Sequence, residues 1–119
     1  MRYMLMIHAN EAQETKMTEA AMGQLMEEYG RFGEELGAAG VMKGSERLKP
    51  TDSATCVRVR EGQTLTTDGP FAETKEQFGG YYEIDVANLD EAIAWAAKIP
   101  TSKYGCIEVR PIWEMGECS

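Results

Sequence analysis

Histidine is nearly absent from this chain: His8 is the only one in 119 residues. Cysteine is scarce and odd in number, at Cys56, Cys106 and Cys118, with no CxxC spacing. One histidine and scattered thiols do not make the ligand set of a structural zinc site, so no metal is expected. Cys56 and Cys106 fall in strand-like runs, where small buried thiols are the expectation. Cys118 lies where chain ends fray. Basic residues number 12 against 20 acidic ones, a formal net charge of −8. Nucleic acid and anionic membranes recruit lysine and arginine, so neither is an expected partner. No run approaches the roughly 20 apolar residues of a membrane span. The opening run MRYMLMI is broken by His8, Asn10 and Glu11, with no small-residue cleavage site after it, unlike a signal peptide. A single cytoplasmic domain spanning residues 1–119 is the expectation. Phosphate-binding glycine loops of the GxxxxGK[ST] or GxGxxG kind are missing, and no cofactor is expected. Ser45, Ser53 and Ser102 lack the surroundings of a nucleophile elbow.

What is present is an alternation of strand and helix patterns. Arg2 to Ala9 reads as a strand, with Tyr3, Leu5 and Ile7 on one face and Met4, Met6 and His8 on the other. Both faces are largely apolar, as in a central strand. Thr18 to Ala39 reads as a long helix, N-capped by Thr18 and ended by Gly40. Its stripe is Met22, Leu25, Met26, Tyr29, Phe32 and Leu36. Gly30, Gly33 and Gly37 weaken that helix, and close packing on a sheet is the expected reason for them. Val41 to Leu48 reads as an extended link and Lys49 to Asp52 as a turn. Ala54 to Arg60 reads as a sheet strand, joined through a Glu61-Gly62 hairpin turn to Gln63–Thr67. Gly80 to Val86 is the next strand. Asn88 and Glu91 form a capping box opening a helix to Ile99, stopped by Pro100. Tyr104 to Arg110 is the last strand.

The order is β-α-β-β-α-β, an α+β chain of the ferredoxin-like kind with one antiparallel sheet. Right-handed crossovers put both helices on one sheet face. With Tyr3/Leu5/Ile7, Val57/Val59, Tyr82/Ile84/Val86 and Ile107/Val109 under the helices, the open face gathers Met4, Met6, His8, Cys56, Arg58, Arg60, Tyr81, Glu83, Asp85, Glu108 and Arg110. Two readings stand. In one, Arg58–Glu83 and Glu108–Arg110 are exposed ion pairs of small energetic weight. In the other, two sheets face each other across a dimer and enclose a polar-lined cavity. His8 is either a hydrogen-bonded, half-buried side chain or an acid/base group beside Glu108.

The segment Thr66 to Tyr82, TTDGPFAETKEQFGGYY, is the longest connection. Asp68-Gly69-Pro70 is a turn signal, and Phe71 is expected to anchor the loop. Glu73, Lys75 and Glu76 follow on a stretch expected to form a helical turn. Gly79-Gly80 permits either positive φ or the close approach of another group. TDGPFAETKEQFGGYYEID, with GSERLKP upstream and EAIAWAAKIP and IEVRPI downstream, closely resembles the DGPF-domain proteins of the YCII-related family, over nearly the whole chain.

That resemblance implies a dimeric α/β barrel. It also implies a family largely without an established reaction, many members being encoded beside extracytoplasmic-function sigma factors. The family motif falls on Asp68, Gly69, Pro70, Phe71, Glu73, Lys75, Glu76, Gly79 and Gly80. The wider group is associated with a histidine–aspartate site whose histidine lies on the first helix. This first helix has none, so that dyad does not carry over and enzyme status stays open. Three functions compete. The first is a homodimeric small-molecule-binding protein or enzyme, with a polar site between the helix-free sheet face and the DGPF loop. His8, Asp68 and Glu73 are its acid/base candidates; Arg58, Phe71, Lys75, Tyr81, Glu108 and Arg110 are its ligand-binding candidates. The second is a regulatory protein that binds a sigma factor. The third is a purely structural dimer.

Overall fold

The computed structural model describes residues 1–115. Strand β1 (Arg2–Ala9) runs through its centre, flanked by β5 (Gln77–Asp85) and β6 (Cys106–Pro111). The fourth strand is β2 (Met42–Arg47), which pairs with the far side of β5. The order β2-β5-β1-β6 is antiparallel at every step, and the fold is α+β and ferredoxin-like. Two crossover helices, α2 (Glu19–Ala39) and α3 (Leu89–Lys98), cover one face; a single turn, α1 (Glu11–Glu14), follows β1.

The core forms where the apolar stripes meet the sheet. Phe32 and Leu36 of α2 and Ala92 and Ala96 of α3 pack on Tyr3, Leu5, Ile84 and Val86. Phe32 meets the rings of Tyr82 and Trp95 edge-on, the geometry that ring quadrupoles favour. Both helix starts are as expected. The Thr18 hydroxyl accepts from the amide of Ala21, and Asn88 Oδ1 accepts from that of Glu91. Glu91 reaches back to the Ala87 amide, one residue before the cap. Gly40 takes the left-handed conformation, φ 70°, and ends α2. Added Cβ atoms at Gly30, Gly33 and Gly37 would touch nothing within 4 Å, so close packing on the sheet is not what those glycines serve.

The chief correction concerns the second sheet strand. The segment Ala54 to Arg60 does not enter the main sheet. Strands β3 (Thr55–Arg60) and β4 (Gln63–Asp68) pair only with each other and make a separate two-stranded arm. Its turn is the expected one: Glu61 and Gly62 both have positive φ, 52° and 77°, as a two-residue type I′ hairpin requires. Val57 and Val59, expected beneath the helices, are 61% and 59% exposed. The link Met42–Arg47 takes their place as an edge strand. Its residues are polar and exposed along most of their length, so backbone pairing to β5, rather than an apolar pattern, recruits it.

A candidate small-molecule site between helix and sheet

The helix-free face collects many of the residues expected there. On β1, Met4, Met6 and His8 alternate with the core residues, and register sets their neighbours. Met6 lies between Tyr81 and Glu108, Met4 between Glu83 and Arg110, and His8 between Phe78 and Cys106. His8 Nε2 is 3.1 Å from Glu108 Oε1, and the other Glu108 oxygen accepts from the Arg110 guanidinium. Hydrogen bonding to Arg110 first, and to His8 after it, holds the Glu108 carboxyl below its ordinary range. The His8 ring also packs at 5.6 Å, tilted, on that of Phe78. His8, Tyr81, Glu108 and Arg110 therefore form one half of the expected constellation.

The other half lies elsewhere. Arg58, Arg60 and Cys56 sit on the arm, not on the open face. Glu83 pairs with Arg2 at 3.5 Å instead of with Arg58. Asp68 is the last residue of β4, opposite Thr55. Gly69, φ 101°, makes the turn and donates its amide to Ala54. Phe71 does not anchor the loop: it is 82% exposed, and the Arg58 guanidinium stands 5.7 Å from its ring centre. Glu73 and Lys75 are exposed on an irregular segment rather than a helical turn. Cys106 is exposed and Cys56 half-buried, its thiol directed at the Gly69 carbonyl. The expectation of two buried thiols therefore fails; Cys118 lies outside the described residues.

A large concavity lies on the helix-covered side. A cleft of about 660 Å³ opens between the first half of α2, α1 and the ends of β1, β2 and β5. Ile7 and Tyr82 belong to its floor, and Met22, Leu25, Met26 and Tyr29 to its helical wall. The segment after the DGPF turn builds another wall, through Gln77, Phe78, Gly79 and Gly80. Glu11 ties these parts together. Its amide donates to Gln77 Oε1 at 2.9 Å, while its carboxylate accepts from the Thr51 amide at 3.0 and 3.1 Å. Charged groups of both signs enter the lining: Arg47 and Lys49, against Glu11, Glu14, Glu46 and Asp52.

Tyr29 gives the cleft a fixed polar group. Its hydroxyl bonds to Thr101 Oγ1, and Thr101 is only 2% exposed. Burial raises the Tyr29 phenol from 10 to about 12, so it stays protonated and can donate. Burial also raises Tyr104, with a further push from the nearby Glu14 carboxylate. A site of this size, apolar with a few placed polar groups, suits a small organic molecule. Among the described residues, no cluster of three or more His, Cys, Asp or Glu side chains could hold a metal, and no helix is long and apolar enough to cross a membrane.

Sequence reasoning missed this cleft. The available signal was the α2 stripe, whose first half carries Met22, Met26 and Tyr29. The core contacts of α2 lie mainly in Phe32 and Leu36. Apolar residues beyond what the sheet covers mark either a groove or a partner.

Comparison with known proteins agrees with the geometry on kinship and leaves the chemistry open. The family model described as the YCII-related domain matches residues 1–116. Uncharacterized protein R00369 of Rhizobium meliloti (strain 1021) is 46% identical over 76 residues, 62% of this chain and 61% of that protein. The match thus spans about three fifths of that relative's length. With motif, fold and family model in agreement across nearly its whole length, the chain belongs to the YCII-related domain family.

Proposed function

We propose that this protein binds a small organic molecule in the cleft between α2 and the sheet. One observation carries the reading: a volume of about 660 Å³ whose walls are chiefly apolar and whose Tyr29–Thr101 pair offers a fixed hydroxyl. That volume falls within the roughly 300–1,000 Å³ of ordinary ligand pockets. The ligand has an apolar body seated against Met22, Leu25 and Phe78. A hydrogen-bond acceptor reaches Tyr29, and a polar, uncharged end such as a carbonyl meets Arg47 or Lys49.

A second reading rests on the His8–Glu108–Arg110 chain of the helix-free face. There a half-buried imidazole, oriented by a carboxylate, is arranged for proton transfer. One experiment separates the two. Anilinonaphthalene sulfonate fluorescence and a metabolite thermal-shift panel are applied to the protein, to Met22→Trp, which fills the cleft, and to His8→Ala. Binding that raises the melting temperature and vanishes only in Met22→Trp supports the cleft. Loss only in His8→Ala assigns the site to the open face instead.

A further inference from the structure

Helix α1 lines the cleft without packing into the molecule. It is a single turn of four residues, none of them buried. A helix that short has little stability of its own. Polar ties therefore hold it, and they converge on Glu11. The Glu11 carboxylate accepts from the Thr51 amide at 3.0 and 3.1 Å and from the Thr51 hydroxyl at 3.3 Å. The Glu11 amide donates to Gln77 Oε1 at 2.9 Å. At the other end of the turn, Glu14 stands beside the Tyr104 phenol.

The turn and the segment that Glu11 grips both belong to the rim of the cleft. Ala12 and Thr15 on α1, and Lys49, Pro50 and Asp52 across from them in sequence, line the cleft and are exposed. Deeper in, Leu25, Gly80 and Thr101 line it and are buried. Glu11 thus joins two stretches of rim that lie 40 residues apart, and through Gln77 it reaches a third. A hydrogen bond to a carboxylate is stronger than one between neutral groups. Glu11 is only half-buried, however, so water can replace its partner when the bond breaks. The tie then opens without stranding a buried charge. Segments held by exposed hydrogen bonds and few apolar contacts are the ones that open locally, and lids are drawn from them.

Building on the cleft as the binding site, we propose that α1 is a lid over it, latched by Glu11 to Thr51 and Gln77, and that a ligand enters and leaves only while this latch is open. The flanks supply the hinges. Asn10 precedes the turn in extended backbone and caps it with its side chain; residues 15–17 follow it outside any regular element. Opening breaks the Glu11 bonds and exposes little apolar surface. Because opening precedes both entry and exit, the latch scales the two rates together and leaves their ratio nearly fixed. Thr51 leads into the arm and Gln77 ends the DGPF segment, so one residue ties both to access to the cleft.

Stopped-flow fluorescence with N-phenyl-1-naphthylamine, a neutral apolar probe that brightens away from water, tests this on the full chain. Two variants release the latch from opposite sides. Glu11→Ala removes the acceptor. Thr51→Pro removes the donor amide, and proline suits the position because Thr51 opens a short 3₁₀ turn after an extended Pro50. Circular dichroism checks both folds; should Glu11→Ala fail to fold, Thr51→Pro carries the test. The expected result is that association and dissociation each quicken about tenfold or more, the worth of a hydrogen bond to a charged group, while Kd moves less than about threefold. A purely structural Glu11 would instead give faster dissociation with association unchanged, and that outcome overturns the lid. Met22→Trp fixes which site is being read. A probe that does not bind, or whose binding survives Met22→Trp, overturns the cleft reading and the lid with it. Binding abolished by Met22→Trp, with both rates unchanged in Glu11→Ala and Thr51→Pro, overturns the lid and leaves the cleft standing. Hydrogen exchange gives a reading without any probe. The amides of Gln13, Glu14 and Thr15 bond to the carbonyls of Asn10 and Glu11, and in both variants they exchange at least about tenfold faster than in the wild type. Equal exchange overturns the latch.

Discussion

Replacing Gly80 by alanine probes how the edge strand β2 is held. Gly80 is buried in β5 opposite Arg47. A Cβ built there stands 2.9 Å from the Glu46 carbonyl oxygen and 3.4 Å from the Arg47 Cα. Both obstacles are backbone, so no side-chain rotation relieves them. The strands must part by several tenths of an ångström, and such overpacking costs about 1–3 kcal/mol. Against this, alanine restricts the unfolded chain more than glycine does, which returns about 0.4–1 kcal/mol. The balance is a loss of about 1–2 kcal/mol, or roughly 4–8 °C in melting temperature for a chain of this size. Gly79 is the matched control. Its added Cβ meets nothing within 4 Å and its φ is not positive, so Gly79→Ala shifts stability by less than about 1 kcal/mol, upward if at all. Thermal and urea unfolding of both variants measure the difference. Hydrogen exchange locates it: Gly80→Ala loosens the amides of β2 and spares those between β1 and β6. Equal melting temperatures for the two variants would refute the close-approach argument.

Three further outcomes follow from local chemistry. Spectrophotometric titration at alkaline pH finds Tyr29 ionising near 12 instead of 10. Because its folded value is raised, its contribution is complete below pH 10 and is lost as pH climbs toward 12; Tyr29→Phe removes that limb and costs about 1 kcal/mol for the Thr101 hydrogen bond. Glu108 has a depressed folded value, so its contribution is present above its ordinary 4.5 and fades as pH falls through the lower folded value. Acid unfolding of Glu108→Gln is correspondingly less steep, and carbon-detected NMR of the native protein places the Glu108 titration below its ordinary 4.5. Asn88→Ala removes the acceptor for the Glu91 amide and lowers stability by about 1 kcal/mol in denaturant unfolding. Should it leave stability unchanged, the α3 cap is not an energetic feature.

The elements legible from sequence were those whose side chains report their own environment. The α2 stripe, the Thr18 and Asn88 caps, the Glu61-Gly62 turn and the alternation along β1 are each dictated locally. Strand β2 was not legible because MKGSER has no apolar alternation. An edge strand with most of its residues exposed needs only backbone partners, and these leave no trace in its own composition. The trace lies in β5, where Gly80 lacks the Cβ that would block the approach. The arm failed in the opposite sense. Val57 and Val59 alternate as core residues do, yet both stand exposed, because the pattern records a two-residue period and not a packing partner. The candidate site divides likewise: the His8–Glu108–Arg110 cluster follows from strand register, whereas the cleft depends on how far α2 overhangs the sheet, a tertiary quantity.

The opposed failures at β2 and at the arm have one physical origin, and it bears on the DGPF segment. The β-branched, alternating hairpin packs on no apolar surface among the described residues. The segment joins this hairpin at Asp68 to strand β5 at Gln77, so its ends serve different environments. Gln77 and Phe78 help wall the cleft, Gly80 admits β2, and Phe71 stands exposed beside Arg58 at the base of the arm. A mere connection would need none of these residue types. The motif is better understood as the junction between the main sheet and the arm: Gly79-Gly80 belongs to the sheet, and Asp68-Gly69-Pro70-Phe71 to the base of the arm. Substitutions in its second half should therefore act on stability and cleft binding at any concentration. Phe71→Ala in its first half should leave both little changed, because that ring is 82% exposed.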